Sequence, residues 1–154
     1  MKSFIKSFLE MFNYRLSKID SNYVNYPIEH TNEGILNDFL EKQSVSLVLD
    51  VGANVGQWAN EIRESGYAKK IISFEPLSSA FSVLSSSCSK DNLWTCKNCA
   101  VGISDTTSEI NISKNSVSSS ILPMLDSHIE AAPESFFYKK EKIEIMKLDS
   151  IAKK

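Results

Sequence analysis

The stretch Leu47-Val-Leu-Asp50-Val-Gly52-Ala-Asn54-Val-Gly56-Gln-Trp58 constrains this chain more than any other. Residues 45–51 are a short apolar run with β-branched members, which reads as a buried parallel strand. The run stops at Gly52, and residues 56–65 then place Trp58, Ala59 and Ile62 at helical spacing, closed by Gly66. A strand that turns tightly into a helix places a ligand at the helix N-terminus, outside the strand's carboxyl end. Gly52 lets the backbone turn and leaves room for a ligand to lie on it. Asn54 stands where a glycine often would, and asparagine is the residue after glycine that best tolerates positive φ. Gly56 permits close packing of helix on strand.

The pattern then repeats. Ile71–Phe74 reads as a second strand, stopped at Glu75-Pro76, and a serine-rich helix over 77–89 carries Leu77, Ala80, Phe81, Leu84 and Cys88 on one face. Residues 93–101 read as a third strand. Strand, helix, strand, helix, strand implies right-handed crossovers and a parallel sheet. Beyond it, Glu109–Ile112 and Lys142–Met146 alternate with period two, as two antiparallel strands would, joined by a long loop over 114–139. Before the core, residues 3–19 place Phe4, Ile5, Phe8, Phe12, Leu16 and Ile19 at helical spacing, either docked on the domain or lying on a membrane surface. A polar and aromatic connector with Pro27 follows, then a helix over 32–42 capped by Thr31 or Asn32. Residues 1–44 are thus an N-terminal helical segment, and 45–154 belong to the main domain.

Size and charge narrow the options. The 154 residues suffice for one domain with a core, and the formal net charge of −2 argues against bulk attraction to nucleic acid. No segment has the roughly 18–20 continuous apolar residues of a membrane span, and Lys6 and Glu10 interrupt the apolar stretch a secretory signal needs. The cytoplasm is the expected location. Cys96 and Cys99 form a single CxxC, without partners for a four-ligand metal site, and would point to opposite faces of a strand. With Cys88 they read as structural thiols, and no metal is expected.

The chemistry centres on the glycine loop. Glu75 lies 23 residues after Gly52, at the end of the next strand, where an acidic side chain accepts hydrogen bonds from both ribose hydroxyls of a nucleoside. A dinucleotide fingerprint GxGxxG would fall on Gly52, Asn54 and Gln57, so two of its three glycines are missing. No Gly-Lys-Ser/Thr follows the loop, which excludes a Walker A motif.

Asp50-Val-Gly-Ala-Asn-Val-Gly-Gln57, Phe74-Glu-Pro76, Phe81 with Leu84, Asn98-Cys-Ala-Val101, Val117-Ser-Ser-Ser-Ile-Leu122 and Leu148-Asp149 resemble, in order and spacing, the landmarks of FkbM-type methyltransferases. The resemblance covers about residues 45–150. It implies an α/β fold, the Rossmann-like three-layer sandwich of class I methyltransferases with parallel core strands, and S-adenosylmethionine as cofactor. By that resemblance Asp50, Gly52, Ala53, Asn54, Gly56 and Gln57 surround the cofactor's methionine part, and Glu75 holds the ribose. Cys99, Ala100 and Val101 would lie near the adenine, and Ser119 and Ser120, in the loop from Ser118, would face the active-site mouth. The family's domain continues past the Leu148-Asp149 landmark, so the chain is expected to carry about its first two thirds and to be C-terminally incomplete.

The expected activity is O-methylation of a sugar, glycan, lipid-linked or secondary-metabolite hydroxyl. Such an acceptor profits from a base, but His30 and His128 are the histidines of the chain, and each reads as a surface residue, so no catalytic group is assigned. The other readings are an inactive remnant or nucleoside-binding module, and a nicotinamide-dependent oxidoreductase. An unfinished sheet would also favour self-association.

Overall fold

The structure, a computed structural model, describes residues 14–19, 22–27, 32–114, 119–123 and 136–152. Its elements are β1 (Tyr14–Ile19), β2 (Asn22–Pro27), α1 (Asn32–Lys42), β3 (Leu47–Val51), α2 (Gln57–Glu64), β4 (Lys70–Phe74), α3 (Ser78–Cys88), β5 (Trp94–Lys97), β6 (Ala100–Val101), β7 (Thr106–Ser113), β8 (Phe137–Met146) and α4 (Leu148–Ala152). The described residues up to Leu47, with Trp58–Lys69, form one compact unit; Val48–Gln57, with those from Lys70 onward, form another. None of the described helices is long and apolar enough to cross a membrane.

In the first unit β1 and β2 pair antiparallel, with Ile19 opposite Asn22. The helix expected over 3–19 is therefore strand over 14–19, and the expected connector supplies its partner; residues 3–13 lie outside the described residues. Helix α1 forms where its spacing predicts, although its expected cap at Thr31 or Asn32 falls outside the side chains described. Leu40, Ala59, Ile62 and Tyr67 are buried. Asn37 Nδ2 donates to Ser65 O at 3.1 Å, and Lys69 pairs with Glu41 at 3.1 Å. The last turn of α2 closes at Gly66, whose N–H donates to Arg63 O.

The second unit holds two three-stranded sheets, ordered β3-β4-β5 and β6-β8-β7. Strands β4 and β5 are parallel, Ile71 opposite Trp94 through Phe74 opposite Lys97, with α3 as their crossover. In the other sheet β6 runs parallel to β8, and β7 runs antiparallel to it. The period-two alternation at 109–112 and 142–146 thus marks a real antiparallel pair.

This second unit departs from two expectations. Residues 93–101 are two strands in two sheets, not one. After Lys97 the chain turns: Cys99 N–H donates to Lys97 O, and Asn98 Nδ2 donates to the carbonyls of Glu75 (2.9 Å) and Pro76 (3.1 Å). Ala100 and Val101 then take β8 as partner, and Cys99 lies beyond β5, not on it. Strand β3 is not buried either: Leu49 and Val51 are 43% and 57% exposed. It stands at the end of its sheet, so among the described residues its apolar run is left partly uncovered.

The core of this unit gathers Leu77 and Ala80 from the start of α3 with Ile110, Ile112 and Ile143, and Val55, Ala100 and Ile145 pack against it. Burying each large aliphatic side chain contributes about 1.5–3 kcal/mol. Leu84 and Cys88 on the same helix are buried as their spacing predicts. The result is a mixed α/β fold with parallel strands.

Candidate functional site

The loop between β3 and α2 is built by internal hydrogen bonds. Gly52 N–H and Ala53 N–H both donate to Phe74 O, at 2.9 and 3.0 Å, at the end of β4. Asn54 N–H donates to Glu75 Oε2 at 2.8 Å, and Val55 N–H donates to Asn54 Oδ1 at 2.8 Å. Gly56 N–H donates to Ala53 O at 2.8 Å. Five successive amides, 52 to 56, therefore have acceptors within the protein. Asn54 has φ +50°, the conformation for which asparagine is suited.

The two glycines do different work. Gly52 has φ +79°, and a Cβ there would meet nothing within 4 Å, so it opens onto free space. Gly56 has φ +87°, and a Cβ there would lie 2.9 Å from Leu84 Cδ1 and 3.0 Å from Trp94 Cη2. Gly56 is thus a packing glycine, pressed by α3 and β5.

Glu75 ties the site together. It is 4% exposed, and its second oxygen, Oε1, accepts from Leu77 N–H at 2.8 Å. One carboxylate thereby joins the glycine loop to the start of α3. Burial pushes its pKa above the usual range, the two backbone N–H groups pull it back, and nearby Asp50 and Glu141 add to the rise. Burial also raises Asp50, against a hydrogen bond from Ser73 Oγ to Asp50 Oδ2 at 2.9 Å. Ser73 in turn accepts from Trp94 Nε1 at 2.9 Å.

A pocket of about 180 Å³ lies over this arrangement, lined by Gly52, Asn54, Glu75, Pro76, Leu77, Ile110 and Ser119. Of the residues expected at the site, Gly52, Asn54, Glu75 and Ser119 are brought together there. Ser119 is held by Ser113 N–H, which donates to its Oγ at 3.1 Å, and Ser120 bridges to Asn111 on β7. Asp50, Ala53, Gly56 and Gln57 shape the loop or flank it without lining the pocket. Ala100 and Val101 sit on β6 in the second sheet, and Cys99 is buried, so none of the three lines it. Leu77 and Ile110 carry no site motif in the sequence; their place on the wall follows from α3 and β7 packing together. His30, His128 and Ser118 lie outside the described residues.

Two of the three thiols are held protonated by burial. Cys88, Cys96 and Cys99 are free; burial, with Cys96 adjacent, pushes Cys88 up to about 12, and burial also raises Cys99. Thiols so shifted are poor nucleophiles and poor metal ligands. Among the described residues no three His, Cys, Asp or Glu side chains cluster to hold a metal.

A glycine turn leaving a strand, with a carboxylate from the end of the neighbouring strand beneath it, defines an α/β domain of the kind that binds ligands at its strand ends. The family model described as the methyltransferase FkbM domain matches residues 50–154, and the chain belongs to that family of methyltransferases. No curated protein and no solved structure matches it.

Proposed function

We propose that the domain binds S-adenosylmethionine over Gly52 and against Glu75, within a Rossmann-like three-layer methyltransferase architecture. The acceptor is the hydroxyl of a sugar, glycan, lipid-linked compound or secondary metabolite, and the reaction takes place in the cytoplasm. The observation that carries the cofactor reading is the closed loop. A pyrophosphate is held by backbone N–H groups at such a turn, yet amides 52 to 56 are already engaged within the protein. What faces the pocket instead is a carboxylate able to accept from hydroxyls, beside an open glycine. That suits the ribose of a nucleoside without phosphates, and disfavours a nicotinamide dinucleotide.

The residues present fit the nucleoside end of that cofactor. The pocket is smaller than the ~300–1,000 Å³ of a whole small-molecule site, in keeping with a cradle for one part of it. Glu75 would accept from the ribose hydroxyls through lone pairs its two backbone donors leave unused, and Leu77 and Ile110 supply apolar wall. When bound, the cofactor supplies a methyl group activated on a sulfonium. The chain's part is to fix orientation, through a loop whose amides are all anchored, and to keep water from the buried carboxylate.

Calorimetry on the purified chain with S-adenosylhomocysteine and with NAD tests the reading. Binding of S-adenosylhomocysteine without NAD is expected. NAD binding without S-adenosylhomocysteine would overturn it.

A further inference from the structure

A polar chain, buried at Trp94 and Ser73 and half-buried at Asp50, crosses the first sheet from β5 to β3. Trp94 Nε1 lies 2.9 Å from Ser73 Oγ, and Ser73 Oγ lies 2.9 Å from Asp50 Oδ2. The three residues sit on the three neighbouring strands β5, β4 and β3. Trp94 is 4% exposed and Ser73 fully buried. An indole N–H can only donate, so Ser73 Oγ must accept from it. The hydroxyl's single proton is then left for Asp50, which accepts as a carboxylate. The direction of the chain is therefore fixed by the chemistry of Trp94.

The same indole also reaches the far end of the loop. Its Cη2 and Cζ2 atoms lie 3.0 and 3.1 Å from where a Gly56 side chain would begin. Asp50 stands two residues before Gly52, at the loop's start. One side chain is thus linked to both ends: to Asp50 through Ser73, and to Gly56 by close packing.

We propose that Trp94 and Ser73 are positioning residues for the cofactor loop, the indole N–H orienting the Ser73 hydroxyl so that it holds Asp50, two residues before Gly52. This rests on the reading that the loop receives the cofactor, but the relay itself can be tested without a ligand. Neither residue touches the pocket, so both act through Asp50 and Gly56.

The test compares wild type with Trp94→Phe, Ser73→Ala and the double variant. The titration of Asp50 is followed by carbon-13 NMR on the ligand-free chain, and S-adenosylhomocysteine affinity by calorimetry. Glu75 is the other charged group acting with Asp50, so its carboxyl is followed in the same spectra. Losing the Ser73 hydrogen bond removes what lowers Asp50, so Asp50 should titrate at higher pH in both single variants. The double variant should shift it no further than Ser73→Ala alone, and affinity should fall at least threefold in each. A Trp94→Phe chain in which Asp50 titrates as in wild type overturns the proposal, even if affinity falls, because the indole then acts by packing alone. Should the Phe variant fail to fold, benzothienylalanine at position 94 replaces the N–H with sulfur in the same ring shape, and the same two outcomes decide. Failure of wild type to bind S-adenosylhomocysteine removes the cofactor reading, and the Asp50 titration still decides the relay.

Discussion

Glu75 has two tasks at once, and its substitutions separate them. Both of its oxygens accept backbone N–H groups, from Asn54 and Leu77. Glu75→Ala strips acceptors from two such donors, at a cost of about 2–4 kcal/mol in stability. It should also weaken S-adenosylhomocysteine binding at least tenfold, read by calorimetry beside thermal melting. Glutamine is a poor substitute here, because its amide NH2 would face one of those N–H donors; Glu75→Gln should recover little of either loss. Burial holds the Glu75 carboxyl above the ordinary range, so protonation should begin to weaken binding at a higher pH than a solvent-exposed glutamate would set. The two glycines should part company. Gly52→Ala puts a methyl into open space but at φ +79°, so it should cost about 1–2 kcal/mol of backbone strain and, with the methyl in the ligand's place, weaken binding as well. Gly56→Ala drives a methyl against Leu84 and Trp94 at φ +87°, so stability should fall by roughly 1–3 kcal/mol in urea denaturation.

Helix α3 shows how an element's start depends on distant chain. The residue before it, Leu77, makes no side-chain cap. Glu141 on β8 does the capping instead, its Oε1 accepting from Ser78 N–H at 2.9 Å and Ser78 Oγ at 2.6 Å. The Ser78 hydrogen bonds hold the Glu141 carboxyl below its usual range. Its stabilising effect is therefore full above the unfolded glutamate range and is lost as pH falls through the folded value. The stability gap between wild type and Glu141→Gln should accordingly be widest near neutral pH and close on acidification, measured by urea midpoints across pH. This cap was illegible in the sequence, since 63 residues separate its partners. What was legible was local: the glycine turn, Asn54 at positive φ, and the alternation of β7 and β8. The break between β5 and β6 was not, because a run such as Trp94–Val101 has strand composition throughout and says nothing of where its ladder partner changes. The β1–β2 ribbon was missed because the apolar spacing of 3–19 also fits a helix turn. The Trp94–Ser73–Asp50 chain needed three strands side by side before it could be seen.

At the scale of the molecule, the described parallel sheet ends on an apolar strand. Leu49 and Val51 stand exposed on β3, and β4 bonds to it from one side. Apolar edges invite pairing with another chain, and natural edges are often guarded by lysine. The 154-residue chain is therefore expected to self-associate through β3, and Leu49→Lys to shift it toward monomer in light scattering. A wild-type monomer would remove this idea. The same asymmetry sets an order of opening within the sheet. Strand β4 is bonded on both sides, by β3 and β5, whereas among the described residues β3 has one neighbour, so fewer contacts must break to release it. In deuterated water the amides of Ile72 and Ser73 should be among the last of this sheet to exchange, those of β3 well before them. Added salt or concentrated protein that drives association should slow β3 selectively, and so report which edge the copies share.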